Sequence, residues 1–279
     1  MIADHLNAHS VTLFGESDLT PATVEGWFGL PRVVWFCLAE RDGRAVGYAD
    51  LQQGDSHCDV DARSLDREVA AALVQACLER AQPGRPVWAY APATDEAAVV
   101  AYSAAGFSVI RHLFTMRADL RSEPAAPAWP EGISVRPWRE GDDPVFHAVL
   151  QDTFAEHFGF EPRRYDEWLQ AMDVHSDTDR SLWFLALANG DAAGFAQCAW
   201  HSSGDKTFGW VNELGVRTAW RRRGLGLALL RHAFVEFHGR GATRVGLGVD
   251  GQNTTGAVRL YERAGMHVTR RYDTWELRR

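Results

Sequence analysis

An α+β protein built from two tandem copies of one domain is what this sequence predicts, on three observations. Residues 33–51 and 181–199 each read as an apolar run, a polar turn containing glycine, and a second apolar run, the pattern of a β-hairpin. Residues 87–120 and 244–277 each read strand, polar loop, helix, glycine, strand, strand, with Tyr102 of one block standing where Tyr261 stands in the other. Between the copies, residues 121–131 carry Pro124, Pro127 and Pro130 without periodicity, as a semi-rigid linker does. Two matched blocks in the same order point to duplication. They place domains at 1–120 and 132–279, each near the usual size.

The elements follow in order. The turns Arg41-Asp42-Gly43-Arg44 and Asn189-Gly190-Asp191 close the two hairpins. Gly106 and Gly265 follow predicted helices, where only glycine enters the left-handed region cheaply. Residues 210–216 are a short apolar strand. Residues 227–239 place Leu227, Leu230, Ala233, Phe234 and Phe237 on one helical face. No comparable long helices are expected ahead of the first hairpin.

Composition sets limits. The apolar fraction is 46%, enough for well-formed cores, and the formal charge is −8. An acidic chain is a poor electrostatic match for nucleic acid or an anionic membrane. No stretch is long and apolar enough to span a bilayer, and Asp4, His5 and Asn7 interrupt the start where a signal peptide needs an apolar run. The four scattered cysteines lack CxxC spacing, so reduced thiols and a cytoplasmic location are expected. His232 and His238 lack metal spacing, and no metal is expected.

Between the strand at 210–216 and the helix at 227–239 lies Arg221-Arg222-Arg223-Gly224-Leu225-Gly226. Amides at a helix start have no intrahelical partners, and the helix dipole favours negative charge there. Gly224 and Gly226 let the main chain approach a bulky anion, and the arginines add charge. The chain has no GxxxxGK[ST] motif, and the loop lacks the third glycine of a dinucleotide fingerprint. A strand, an Arg/Gly loop and a helix therefore make a candidate pyrophosphate site.

Arg221-x-x-Gly224-x-Gly226 matches the [QR]-x-x-G-x-[GA] signature of the GCN5-related N-acetyltransferases, and Asn253 and Tyr261 match that family's later block in order and spacing. The resemblance covers residues 132–279, and the tandem arrangement resembles that of the mycothiol synthases. It implies, in each domain, a mixed, mostly antiparallel sheet flanked by helices, with a splayed strand pair at the cofactor site. It implies acetyl-CoA as acyl donor and an N-acetyltransferase acting on a primary amine of a small molecule, by direct attack in a ternary complex. Leu214, Gly215 and Val216 would bind the pantetheine arm. Arg221, Arg222, Arg223, Gly224, Leu225, Gly226 and Leu227 would cradle the pyrophosphate, and Asn253 would contact the cofactor arm or cap a helix. Tyr261 would protonate the departing thiolate. Glu213 is the nearest carboxylate to the splayed strand and the candidate base; Asp250 is a second, better read as a loop cap. The base-bearing position of the mycothiol synthases falls on Trp210. An acceptor site would draw on the aromatic stretch 154–168, with His157, Phe158, Tyr165 and Trp168, and on Trp200.

The first copy matches poorly at the loop. With Val60 set against Val216, Glu68 replaces Gly224 and Ala70 replaces Gly226, and Asp66 and Glu68 would repel a pyrophosphate. The domain at 1–120 is therefore expected to be a noncatalytic copy. Two alternatives stand beside the small-molecule enzyme: a noncatalytic acyl-CoA sensor, and a protein or peptide N-acetyltransferase. The protein is expected to be a monomer or homodimer.

Overall fold

Each half is organised around a two-residue hairpin turn of the same kind. β1 (Val33–Arg41) and β2 (Arg44–Gln53) meet at the rung Arg41–Arg44, with Asp42 at φ 52° and Gly43 at φ 72°. β7 (Trp183–Ala188) and β8 (Asp191–Trp200) meet at Ala188–Asp191, with Asn189 at φ 50° and Gly190 at φ 92°. Two successive positive φ values match the right-handed twist of the flanking strands, and Asp-Gly and Asn-Gly supply them at low cost.

The computed structural model describes residues 1–30, 32–174, 178–253 and 255–278. The chain divides into two compact units: Met1–Phe114 with Asp250–Gln252 and Arg270–Arg279, and Thr115–Val249 with Asn253–Thr269. This differs from a cut at the proline-rich linker. The C-terminal part of β11 (His267–Leu277) belongs to the first unit, where Tyr272–Leu277 pairs antiparallel with β4 (Val87–Pro92). The two strands expected after each of Gly106 and Gly265 are instead one continuous strand, β5 (Ser108–Asp119) and β11, and local patterning carries no information about which sheet edge β11 joins.

In the first unit, β1, β2, β3 (Cys58–Arg63), β4 and the end of β11 run side by side, with β3 and β4 parallel and the other pairs antiparallel. One sheet face packs on α3 (Arg67–Arg80) and α4 (Glu96–Ala104) through Leu51, Val60, Leu73, Cys77, Val87 and Tyr102. Two helices precede the first hairpin, α1 (Ile2–Phe14) and α2 (Pro21–Phe28), where none of comparable length is expected from sequence. They were hidden because α1 buries His9 and Ser10 alongside Ala3 and Leu6, which blurs its apolar stripe. The Thr20 side chain accepts from the Thr23 amide, and Pro21 opens α2. Thr-Pro at that spacing is a helix start signal.

In the second unit, β10 (Arg244–Asp250), β9 (Phe208–Val216), β8, β7 and β6 (Ile133–Pro137) are consecutive neighbours, β9 and β10 parallel and the rest antiparallel. α5 (Asp143–Phe154) and α6 (Tyr165–Val174) build a core with Phe146, Val149, Trp168, Trp183, Leu185 and Phe195. α7 (Leu225–Gly239) buries Leu225, Ala228, Leu229, Leu230, Ala233, Phe234 and Phe237, and α8 (Ala257–Arg263) buries Tyr261. Both glycines expected after helices are left-handed, Gly106 at φ 88° and Gly265 at φ 92°. Among the described residues, no helix is long and apolar enough to cross a membrane.

Candidate active site

A fork opens in the second sheet between β9 and β10. Their parallel ladder runs from Phe208–Arg244 to Val211–Leu247, and the described residues continue it no further. The cause lies on the other edge of β9. There the register with β8 slips between Gln197, opposite Glu213, and Cys198, opposite Val211, leaving Asn212 as the extra residue of a bulge. A bulge bends its strand and ends pairing. The first residues past the last rung, Asn212 and Gly248, are exposed although both lie on interior strands. A Cβ added to Gly248 would meet nothing within 4 Å. The β10-facing main-chain groups of Asn212–Val216 are thus left without a strand partner.

The loop after β9 delivers a bare helix end to this fork. A 3-10 turn, Thr218–Trp220, is followed by Arg222 at φ 60° and Gly224 at φ 87°. Gly224 caps α7 without a side-chain hydrogen bond, so the amides of Leu225, Gly226 and Leu227 have no intrahelical acceptor. Gly226 sits close to α8 and to β9: an added Cβ would lie 3.0 Å from Leu260 Cδ1, 3.7 Å from Val216 and 3.9 Å from Leu214. The three arginines act differently from one another. Arg221 folds back, its Nε donating to the Val216 carbonyl (3.0 Å) and its Nη1 lying 3.5 Å from Glu156. Arg223 lies over the Trp220 ring at 4.9 Å. Arg222 and Arg223 are exposed.

Strand alternation aims Glu213 and Gly215 at α5 rather than α7. A Cβ on Gly215 would collide with Thr153 of α5 and lie 2.5 Å from Phe195. The Glu213 carboxyl is pushed up to about 7, first by burial, with the Arg163 charge pulling the other way. The Tyr261 phenol is pushed up to about 12, by burial and then by the Glu213 carboxylate. The Glu213 charge is thus felt at the Tyr261 phenol. Asn253 accepts from the Thr255 amide (2.7 Å) and hydroxyl; Gly256, not Asn253, is the helix cap. Asp250 accepts from Arg111 (2.6 Å) and from the Gln252 amide, a loop-capping role.

The aromatic stretch divides. His157, with its ring 4.3 Å from Phe154, stays part-exposed, and Phe158 and Tyr165 are 42% and 39% exposed. Trp168 is only 2% exposed and belongs to the α5–α6 core, so it is not available as a pocket wall. It lies within α6, where Leu169 and Met172 also pack inward. Trp200 pairs with Gly209 and packs on Phe237 of α7 (5.6 Å), at the closed end of the β9–β10 ladder, away from the fork. Trp210 also lies in the closed part, its ring against Gly246. Sequence reasoning missed Arg163, Thr153 and Asn212; only the bulge gives them a role, and no local motif announces it.

The first unit differs at the equivalent helix. Asp66, not Glu68, is the cap of α3, and its carboxylate accepts from the amides of Glu68 (3.0 Å) and Val69 (3.2 Å) while receiving Arg41 Nη1 at 2.9 Å. The last β3–β4 rung is Val60–Ala89, so Val60 is the counterpart of Val211 rather than of Val216. The connection from there to the helix cap is about half as long as in the second unit.

Residues 144–266 match the model of the acetyltransferase (GNAT) family. The chain is 31% identical over 245 residues to a mycothiol acetyltransferase of Actinosynnema mirum, covering 82% of this chain and 78% of that one. It is 32% identical over 260 residues to a mycothiol acetyltransferase of Nocardiopsis dassonvillei, with the same coverages of 82% and 78%. The chain belongs to the GNAT acetyltransferase family. Among solved structures, a GCN5-related N-acetyltransferase from Sphaerobacter thermophilus superposes with TM-score 0.77 at 29% identity, covering 99% of this chain and 91% of that one. A tandem GNAT protein from the clavulanic acid biosynthesis pathway shares the fold, with TM-score 0.72 at 16% identity, covering 99% and 93%. This GNAT chain is thus an acyl-CoA-dependent N-acetyltransferase with two GNAT-like domains.

Proposed function

We propose that the second unit transfers acetyl from acetyl-CoA to a primary amine of a small molecule, with Glu213 as general base and Tyr261 as general acid. The observation that carries this reading is the strand fork beside the uncapped start of α7, with a Glu213 carboxyl raised to about 7 on the forked strand. The relatives' names, mycothiol acetyltransferase, support a small acceptor. Trp210, locked against Gly246 in the closed ladder, argues for a different amine.

The site suits a pyrophosphate-bearing donor. The uncapped amides of Leu225, Gly226 and Leu227 offer donors to an anion, and the open space beside Gly248 admits an extended arm. Acetyl-CoA supplies a thioester carbonyl, at which the new N–C bond forms as the C–S bond breaks. Arg222 and Arg223 add charge to the cradle, while Arg221 holds the loop to Val216. The main-chain groups of Leu214, Gly215 and Val216 that face away from β8 would hold the donor arm, and an amide there would stabilise the developing oxyanion. Asn253 holds Thr255 just ahead of α8. Glu213, about half ionised near neutral pH, takes the proton that the amine loses on attack. Tyr261 gives its phenolic proton to the leaving thiolate. His157, Phe158 and Tyr165 supply aromatic surface for the acceptor. The first unit takes no part in the chemistry, because Asp66 already occupies its helix-end donors.

The test is thiol release from acetyl-CoA over a panel of amines, amino acids and peptides. Turnover confined to small amines supports the reading. Turnover confined to peptides overturns the acceptor class, and tight cofactor binding with no turnover favours a sensor.

A further inference from the structure

Buried side-chain nitrogens and oxygens almost always find a hydrogen-bond partner, so each exception asks for a reason. In the second unit one exception stands beside the forked strand. Gln197 of β8 is 2% exposed, and its amide nitrogen is buried without a partner among the described residues. The rest of β8 from Ala192 to Ala199 is small or apolar. A methionine would fill the same space without the cost of burying an unanswered donor.

The register supplies a reason. Gln197 stands directly opposite Glu213, in the pair that borders the bulge. Directly opposite residues of an antiparallel pair share a face, their Cβ atoms about 4.5–5.5 Å apart. Two residues along, the pair Phe195–Gly215 shows which face that is. A Cβ on Gly215 would meet Thr153, and the Phe195 ring lies 6.1 Å from Phe146 and 6.4 Å from Phe154, all on α5. On its other flank Gln197 is opposite the buried Trp183. The carboxamide thus has an indole to one side and a carboxyl to the other.

The other ionisable groups around Glu213 leave it short of donors. The Arg163 charge, from ahead of α6, favours its ionised form against burial, and Tyr261 of α8 feels that charge. On α5, His147 bonds the Arg163 carbonyl at 2.8 Å, and Asp152 pairs with Arg217 at 2.9 Å. On β10, past the last rung, Gly248 has no side chain and Asp250 is held by Arg111 at 2.6 Å. A buried carboxylate needs hydrogen bonds as well as a nearby charge. The Gln197 amide is an unused donor on the adjoining strand.

We propose that Gln197 is the positioning residue of the base: its side-chain amide donates to the Glu213 carboxylate once that group ionises, and fixes its orientation for proton transfer. The catalytic meaning rests on Glu213 as base; the hydrogen bond itself does not. A donor to the charged form favours that form, so its loss makes Glu213 harder to ionise. The test is a carbon-13 NMR titration of full-length protein carrying carboxyl-labelled glutamate, with the Glu213 resonance assigned by its absence from Glu213→Gln. In Gln197→Met, which keeps the volume and removes the donor, the Glu213 midpoint moves up by about one pH unit or more. The inflection in kcat/KM moves with it. The unaltered protein gives a second readout: the nitrogen-15 resonance of the Gln197 side-chain amide shifts through the Glu213 midpoint. That measurement decides the matter if Gln197→Met loses its native circular dichroism. A midpoint unmoved or lowered in Gln197→Met, or a Gln197 amide that ignores the Glu213 titration, overturns the proposal. If the midpoint moves and the rate inflection stays, the hydrogen bond stands and the assignment of Glu213 as base falls.

Discussion

Asp66 and Val69 are joined by a carboxylate-to-amide hydrogen bond of 3.2 Å, which fills the kind of donor position that Gly224 leaves bare in α7. One side chain thus separates a helix end that satisfies itself from one that can receive an anion.

Gly224→Asp is therefore expected to plug the cradle. Its affinity for coenzyme A, measured by calorimetry, falls at least about tenfold below that of Gly224→Ala, which carries the same left-handed backbone strain without the charge. Equal losses in both variants would assign the effect to strain alone.

The pH dependence of kcat/KM follows from Glu213. A base works when deprotonated, so the rate rises with pH through an apparent pKa near 7 and levels above it. The profile is measured with an acceptor amine that titrates well outside this range. Glu213→Gln lowers kcat/KM by about 10²–10⁴-fold and abolishes the inflection. An inflection that survives the substitution would transfer the role to another group.

For Tyr261→Phe, kcat drops at least about tenfold while affinity for coenzyme A stays within about twofold. A loss confined to affinity would make the phenol a binding group.

Gly215 tests the packing beneath the fork. Its added Cβ would run into Thr153 and Phe195, and Thr153 is held by its hydroxyl bond to the Val149 carbonyl at 2.8 Å. Gly215→Ala is expected to cost about 1–3 kcal/mol in urea unfolding. A neutral result would mean that α5 moves aside freely.

Much of this was legible in the sequence because the chemistry involved is local. Asp42-Gly43 and Asn189-Gly190 announce turns, Gly106 and Gly265 announce helix ends, and Gly224 announces a helix start without a side-chain cap, each through a few adjacent residues. Glu213 could be named as the nearest carboxylate, but its direction could not. That direction depends on the extra residue Asn212, which resets strand alternation and becomes visible only against β8. Trp168 looked like a pocket wall because its stretch is rich in aromatics, whereas three-dimensional packing places it in a core. The α1 helix escaped because His9 and Ser10 occupy buried positions where apolar residues are the usual signal. Asp66 was recognised as hostile to phosphate, but the two-residue offset that makes it the cap depends on where the strand ladder ends.

The return of β11 to β4 bears on how this protein can evolve. A chain severed at the proline-rich linker would leave its first half without its last strand and expose the β4 edge, an invitation to aggregation. The two copies can no longer be parted by one genetic cut. A cut at the linker would therefore cost the first unit a strand of its own sheet as well as its neighbour in the chain.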